Sequence, residues 1–197
     1  RKKKLSFIMV LIFTFCHIYC AAERHNRYIS SASRSTILQI GSPGYRRKTL
    51  ERQDARIRAI LRETRRIAAV GASVNPQRPV WQVMMVLAEH GYDVIPVGPK
   101  VAGKVIDGMP GYASLAEIPG KVDMVDVFRN PQVVPEIARQ AIAIGAKTLW
   151  LQPGTVNLQA VAEARDAGLQ VVTELCPKIE IYRSGLSAEL KGRGSHQ

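Results

Sequence analysis

The sequence predicts an α/β protein built on a five-stranded parallel sheet that is flanked by helices. From residue 67 onward, five short apolar segments alternate with longer segments whose apolar residues recur every three or four positions. The short segments are typical of buried strands and the longer ones of amphipathic helices, so their alternation indicates βαβ units in a Rossmann-like arrangement. The length of 197 residues suits one such domain with additional sequence at its ends.

The predicted helices begin and end at residues that are typical of helix termini. Pro79 opens one helix and Gly91 closes it, while Pro131 stands in the first turn of another. The predicted strands span residues 67–71, 92–97, 122–128, 147–152 and 170–175. The predicted helices span residues 50–66, 79–91, 131–146 and 157–169, with one helical turn at 112–119. The folded domain is therefore placed at residues 50–185, before a flexible C-terminal tail at 186–197.

The basic charge of the chain is concentrated in its N-terminal third. Residues 1–66 contain 16 Lys and Arg against 4 Asp and Glu, whereas residues 67–197 contain 12 of each. A nucleic-acid-binding domain carries its basic residues on the folded part. The charge distribution therefore argues against a nucleic acid as the partner of this domain.

Residues 1–49 are interpreted as a basic leader rather than as part of the domain. A basic start, an apolar stretch and a small residue at Ala22 make residues 1–22 resemble a secretory signal. Two alternatives remain open: a short membrane anchor, which is the only predicted contact with a membrane, and an over-extended start of translation. Residues 24–49 are rich in Ser and Arg and contain no acid, which predicts disorder and is also typical of organelle transit peptides.

The cysteines limit the chemistry of the domain and the compartment in which it works. Cys16 and Cys20 lie in the leader, so Cys176 is the only cysteine of the predicted domain. One thiol can form neither an internal disulfide framework nor a zinc site based on paired cysteines, and no metal site is predicted. A single thiol suits a reducing compartment, and we expect a cytoplasmic location.

The segment IAAVGASVNPQRP at residues 67–79 predicts a phosphate-binding loop. A buried strand ends in Gly71, Ala72 and Ser73, and a new helix opens after a loop rich in Asn and Pro. This arrangement directs backbone N–H groups and the positive end of a helix dipole towards an anion. The dinucleotide motif GxGxxG and the P-loop motif are both absent. Ser73 has an alternative role, in which it caps the turn.

Ligands of open parallel sheets bind beyond the carboxyl ends of the strands, so the residues that follow each strand are the informative ones. In this chain they are glycines, prolines and polar residues. They are Gly71-Ala72-Ser73, Gly98-Pro99, Phe128-Arg129, Gln152-Pro153-Gly154 and Cys176-Pro177. A nicotinamide dinucleotide would also need an acid at the end of the second strand, where Val97 and Gly98 stand, so NAD(P) is disfavoured.

Six segments together resemble the stand-alone CoA-binding domain family, a Rossmann-type module similar to the CoA-binding domain of the succinyl-CoA ligase alpha subunit. The resemblance covers residues 55–183. The segments are VGASVNPQRP, GYDVIPVGP, YASLAEIP, VDMVDVFR, WLQPG and AGLQVVTELCPKIE. The resemblance implies that coenzyme A lies across the strand ends. The sequence departs from the family at Gly98, where Asn is usual, and at Leu175, where a basic residue is frequent.

The resemblance also implies a role for each strand end. Gly71, Ala72 and Ser73 would meet the phosphates with help from Arg78, and Val97, Gly98 and Pro99 would flank the adenosine. Phe128 and Arg129 would line the site beside the pyrophosphate or pantetheine, while Gln152 and Gly154 would contact the ligand from the fourth strand. Arg129 has an alternative as the surface partner of Asp126 or Glu136. Cys176 is expected either to be buried and inert or to form a mixed disulfide with CoA.

The sequence contains no recognisable catalytic constellation. There is no Ser/His/Asp arrangement, no carboxylate pair at a convincing spacing and no cluster of metal ligands. We therefore expect non-catalytic binding of CoA or an acyl-CoA. Two alternatives are one subunit of a split acyl-CoA ligase, which would need a partner chain, and an NAD(P)-binding regulatory domain. The sequence does not predict an oligomeric state.

Overall fold

The computed structural model describes residues 43–192. The chain divides into two compact units, residues 1–50 and 51–197, of which only the second is described over most of its length. The predicted leader, residues 1–49, lies outside the described residues up to residue 42, and this part includes the segment that resembles a signal or an anchor. Residues 43–49, which the sequence predicts to be disordered, instead form the start of the helix Pro43–Glu63. None of the helices in the described part of the chain is long and apolar enough to cross a membrane.

The second unit is built on a parallel sheet of five strands, as the sequence predicted. In chain order these are β1 (Arg66–Val70), β2 (Asp93–Val97), β5 (Met124–Val127), β6 (Thr148–Leu151) and β7 (Gln170–Thr173). The sheet order is β2-β1-β5-β6-β7, and every neighbouring pair is parallel. The chain first moves from β1 outward to β2 and then returns to the other side of β1. The topological switch point, where α/β sheets bind ligands, therefore lies between β1 and β5.

Helices cover both faces of the sheet. They are α1 (Pro43–Glu63), α2 (Pro79–Glu89), α3 (Val134–Ala143), α4 (Leu158–Asp166), α5 (Pro177–Arg183) and α6 (Ser187–Lys191). One apolar cluster joins residues of α1, α2, α5 and α6 to one face, including the fully buried Trp150. A second cluster joins α3 and α4 to the opposite face. This two-sided packing buries both faces of the strands, which accounts for their largely apolar sequences.

Two elements differ from the sequence prediction near prolines and glycines. The predicted helix at 131–146 is divided into a 3-10 turn at Pro131–Val133 and the helix α3. Pro135 has no N–H with which to bond residue 131, so one continuous α-helix cannot start there. The glycine-rich stretch after β2 contains a hairpin of β3 (Val105–Ile106) and β4 (Met109–Pro110).

The C-terminal part contains more helix than the sequence predicted. Helix α5 begins after a short turn that follows β7, and α6 lies within residues 186–197, where a flexible tail was expected. Leu190 of α6 is completely buried, which explains why this segment is ordered. Residues 193–197 of the predicted tail lie outside the described residues. The predicted turn at 112–119 is a shorter 3-10 turn at Leu115–Glu117.

Candidate functional site

The turn after β1 is fixed to the end of β2 by two backbone hydrogen bonds. The N–H groups of Gly71 and Ala72 both donate to the carbonyl of Val97, over N–O distances of 2.9 and 3.2 Å. These two N–H groups are therefore engaged within the protein and are not free to bind a phosphate. The N–H groups of Ser73 and Val74 have no acceptor among the described residues. Of the two, Ser73 lines the cleft described below.

Of the two roles expected for Ser73, phosphate contact and capping of the turn, the structure shows the cap. Its Oγ accepts the N–H of Asn75 at 3.1 Å, and the Oδ1 of Asn75 accepts the N–H of Gln77 at 2.9 Å. The loop between β1 and α2 is thus held by its own side chains. Because a hydroxyl group donates as well as accepts, the Ser73 O–H can still donate to a ligand.

A cleft of about 610 Å³ opens where the strands end, between the start of α2 and the start of α5. The structure brings eight of the residues expected from the sequence into this cleft. They are Gly71, Ala72, Ser73, Arg78, Phe128, Arg129, Gln152 and Cys176. The first turn of α2 also lines the cleft and contains no acidic residue, so the positive end of its dipole is not neutralised there.

A second cavity of about 400 Å³ adjoins the cleft and contains three further expected residues, Val97, Gly98 and Pro99. Gly71 and Arg129 line both spaces, so they stand at the passage from one to the other. Gly154 is the one expected residue that lines neither space. Its N–H instead donates to the Oε1 of Glu174 at 3.3 Å.

The cleft is positively charged although the folded part of the chain has a balanced charge. Four basic residues line it: Arg78, Lys100, Arg129 and Lys178. No Asp or Glu stands among its described lining residues. None of the four cations has an ion-pair or hydrogen-bond partner within residues 43–192. Unpaired cations around a concave surface without acids are suited to a ligand with several negative charges.

The expected alternative for Arg129, a surface ion pair with Asp126 or Glu136, is not what the structure shows. Glu136 pairs with Arg139 at 2.8 Å, and Asp126 is completely buried instead of lying on the surface. The guanidinium group of Arg129 therefore remains exposed at the junction of the cleft and the second cavity.

Asp126 lies below the cleft and is hydrogen-bonded to Gln152, one of the lining residues. The Nε2 of Gln152 donates to Oδ1 of Asp126 at 2.9 Å and is 3.2 Å from Oδ2. Burial raises the pKa of Asp126 to about 7, and the hydrogen bonds from Gln152 and from the backbone of Val127 offset this only in part. The carboxyl group therefore changes its charge near neutral pH.

Cys176 is half-buried in the turn before α5 and faces the same cleft. Burial is the largest influence and raises the pKa of its thiol, and the nearby Asp126 acts in the same direction. The backbone N–H groups of Ile179 and Lys178 counteract these effects without cancelling them. The thiol is therefore accessible to a ligand in the cleft but is mostly protonated at neutral pH.

Comparison with known proteins identifies the type of domain to which this cleft belongs. The model of the family described as "CoA binding domain" matches residues 65–182. This range includes all five strands of the sheet and leaves out α1 and α6. The chain belongs to this CoA-binding domain family.

Three relatives illustrate the range of the family. The uncharacterized protein YneT of Bacillus subtilis (strain 168) is 35% identical over 125 residues, which cover 64% of this chain and 91% of YneT. The solved structure of a hypothetical protein from Pyrococcus horikoshii OT3 is 43% identical with a TM-score of 0.64, covering 66% of this chain and 90% of that one. The ADP-forming acetate–CoA ligase I subunit alpha of Pyrococcus furiosus is 28% identical over 120 residues, which cover only 26% of that subunit.

Within this CoA-binding domain, sequence analysis missed two of the four cations and the buried carboxylate. Lys100 directly follows Gly98-Pro99, and Lys178 directly follows Cys176-Pro177, so both lie one residue beyond the strand-end positions that were considered. Extending each strand end by one residue would have found them. Asp126 lies inside a strand, where the sequence offers no signal for its contact with Gln152.

Proposed function

We propose that this protein binds coenzyme A, free or acylated, in the cleft without catalysing its conversion. The observation that carries the proposal is that, within the described part of the chain, four cations without partners surround a cleft that has no acidic lining residue. Coenzyme A presents a pyrophosphate and a separate 3′-phosphate, so it offers a negative charge to several cations at once. Membership of the CoA-binding domain family supports the same ligand.

The shape of the site also suits coenzyme A. The ligand is long, with a flat nucleoside at one end and a flexible pantetheine arm at the other. In the proposed arrangement the nucleoside occupies the cavity beside Val97, Gly98 and Pro99, and the arm extends into the cleft. Arg129, at the junction, would then face the phosphates between the two ends. Because such a ligand is intracellular, the proposal also favours a cytoplasmic location.

A nicotinamide dinucleotide fits this site less well. The end of β2 offers no carboxylate for a ribose hydroxyl, since Val97 is followed by Gly98. Glu136 does line the second cavity, but its carboxylate already accepts hydrogen bonds from Arg139 at 2.8 Å and from Gln140 at 3.1 Å. A dinucleotide would have to compete with both partners for this group.

Isothermal titration calorimetry with CoA, NAD and NADP tests the proposal directly. We expect CoA to bind more tightly than either dinucleotide, because it combines three phosphates with an arm that fills the cleft. A heat signal from CoA that is no larger than that of buffer would overturn the proposal. Tighter binding of NAD than of CoA would assign the site to a dinucleotide instead.

A second candidate is the CoA-binding subunit of an acyl-CoA ligase made of more than one chain. The match to a ligase alpha subunit favours it, and this chain spans about a quarter of that subunit. The remaining activities would have to come from a partner chain. Purification from the native host followed by a nucleotide-turnover assay tests this candidate, and we expect CoA-dependent turnover only if a second chain co-purifies.

A further inference from the structure

In the side-chain amide of Gln152, the nitrogen is hydrogen-bonded and the oxygen has no donor among the described residues. A carboxylate can only accept hydrogen bonds, so the charged form of Asp126 requires the Nε2 of Gln152 to face it, as the 2.9 Å contact shows. The Oε1 of Gln152 then has no hydrogen-bond donor among the residues that the structure describes. Only 7% of Gln152 is exposed, and the exposed part lines the cleft.

A buried amide oxygen without a donor is costly, so a ligand that supplies one gains affinity. Gln152 lies in the cleft near Cys176, in the space assigned above to the pantetheine arm. The sulfur end of that arm exists in two chemical forms. A free thiol can donate its S–H, whereas the thioester of an acyl-CoA has no S–H and presents a carbonyl oxygen that only accepts.

Protonation of Asp126 reverses what the Gln152 amide offers to the cleft. The protonated carboxyl group has an O–H that can donate to Oε1 of Gln152, and an amide turned in this way directs its N–H₂ towards the cleft. Because burial raises the pKa of Asp126 to about 7, both forms of the pair occur near neutral pH. Above this pH, Gln152 therefore presents a hydrogen-bond acceptor, Oε1, to the cleft. Below this pH it presents a donor, its N–H₂ group.

The other titratable and charged groups around the pair are few. The neighbours of Asp126 in the adjacent strands, Ala69 in β1 and Trp150 in β6, are uncharged. The groups that face the cleft from the surrounding elements are Cys176, Lys178, Arg78, Lys100 and Arg129. Among these described groups, Cys176 is the one whose titration needs a control, because its thiol faces the same cleft and has a raised pKa.

We propose that Asp126 and Gln152 together select between the thiol and the thioester form of the bound ligand according to pH. The charged pair favours free CoA, whose S–H donates to Oε1 of Gln152. The protonated pair favours acyl-CoA, whose carbonyl accepts from Nε2. This inference rests on the proposed binding of CoA and adds a specificity-determining pair to it.

The test is to measure the dissociation constants of CoA and acetyl-CoA for the full chain by calorimetry, with a phosphine reductant present. The quantity of interest is the ratio of the two constants, acetyl-CoA over CoA. We expect this ratio to rise about three- to tenfold between about pH 6 and about pH 8.5, the change that gaining or losing one hydrogen bond produces. The ratio removes pH effects that the two ligands share.

The matched variants are Asp126→Asn and Asp166→Asn. The first removes the titrating carboxyl group below the cleft, and we expect its ratio to be independent of pH. The second removes an exposed carboxyl group on α4, a helix that packs on the face of the sheet opposite to α2 and α5. For this variant we expect the ratio to rise with pH as it does in the wild type. If Asp126→Asn is too unstable to purify, Gln152→Met removes both amide functions at similar volume, and the same flat profile is expected.

The possible outcomes separate this inference from the proposed function. If neither ligand binds the wild-type chain, both proposals fail. If both ligands bind but their ratio does not change with pH, or changes equally in Asp126→Asn, only the selection by Asp126 and Gln152 is wrong. If the rise disappears in Cys176→Ser and persists in Asp126→Asn, the titrating group is the thiol, and the inference is likewise overturned.

Discussion

The backbone N–H of Gly71 donates to the carbonyl of Val97 at 2.9 Å and joins the turn after β1 to the last residue of β2. This bond continues the pairing of the two strands beyond their ends, so the sheet itself determines where the turn lies. Gly71 has a φ of +95°, which side chains disfavour. A Cβ at this position would also lie 2.8 Å from the carbonyl oxygen of Phe128.

We therefore expect Gly71→Ala to destabilise the protein more than a matched glycine substitution. Gly168, at the end of α4, has a similar φ of +88°, but a Cβ there would meet no atom within 4 Å. Gly168→Ala should cost about 1 kcal/mol through backbone strain alone, and Gly71→Ala about 3 kcal/mol because the overlap with Phe128 adds to the strain. Urea denaturation measures both. Equal costs would show that the close contact is relieved without penalty.

Removal of the Arg129 cation should weaken CoA binding. Arg129 lines both the cleft and the second cavity, and it has no partner among the described residues. Arg129→Gln should raise the dissociation constant of CoA about tenfold, because one exposed charge-assisted contact with phosphate is lost. The dependence of affinity on salt should also become weaker. Arg165→Gln, an exposed arginine on α4, is the control; if it weakens binding equally, Arg129 has no special role.

Cys176 should form a mixed disulfide with CoA when the protein is incubated with oxidised CoA. The thiolate attacks one sulfur of the CoA disulfide and expels the other half as a CoA thiolate. Because burial raises the pKa of the thiol, the reaction should be slow at neutral pH and accelerate as the solution becomes alkaline.

Peptide mapping by mass spectrometry locates the CoA adduct and distinguishes Cys176 from Cys16 and Cys20. Cys176→Ser should lose the adduct on the peptide that contains position 176. Modification restricted to the two leader cysteines would contradict the prediction.

The stability of the protein should depend on pH through Asp126. The pKa of this carboxyl group is raised from 3.8 to about 7, chiefly by burial, so the folded state binds its proton more tightly than the unfolded state. Its stabilising contribution is complete below a pH of about 4 and is lost as the pH rises to about 7, by roughly 4 kcal/mol at most. Relative to wild type, Asp126→Asn should therefore gain stability over this interval, as urea denaturation at several pH values would show.

Asp123, near the start of the same strand, provides the control with the opposite sign. Burial alone would raise its pKa, but hydrogen bonds from Arg66 and Arg65 and the nearby Lys147 bring the pKa below its usual value. Its contribution is present above a pH of about 4 and is lost only in more acidic solution. The stability difference between wild type and Asp123→Asn should therefore be constant from about pH 5 to about pH 8. If the stability difference from wild type changed equally with pH in Asp126→Asn and Asp123→Asn, the assignment to Asp126 would be wrong.

Most of the residues that line the cleft and the adjoining cavity at the strand ends could be predicted from the sequence, because the fold places the strand ends along one edge. Eleven of the expected residues line the cleft or the adjoining cavity, and Gly154 does not. The N–H groups of Gly71 and Ala72 both donate to Val97, so these two residues would have to meet a phosphate through other atoms. The sequence could not show which backbone groups compete for the same acceptor.

The missed elements have different causes. The hairpin of β3 and β4 turns at Asp107 and Gly108, which have φ values of 50° and 80°. An Asp-Gly pair between short apolar segments is a recognised hairpin signal, so this element was predictable. Helices α5 and α6 span only seven and five residues, too few to show a helical period. Their formation depends on packing against the rest of the domain.

The sequence by itself determined the α/β class, the order of strands and helices, and the strand ends that line the cleft. These features follow from local periodicity and from the rule that parallel strands end at a common edge. The tertiary structure decided the charge of the cleft and the pKa of Asp126. A domain with balanced charge becomes locally basic where Arg78, Lys100, Arg129 and Lys178 converge on a cleft whose described lining residues include no acid. Similarly, Asp126 acquires its raised pKa only because folding removes it from water.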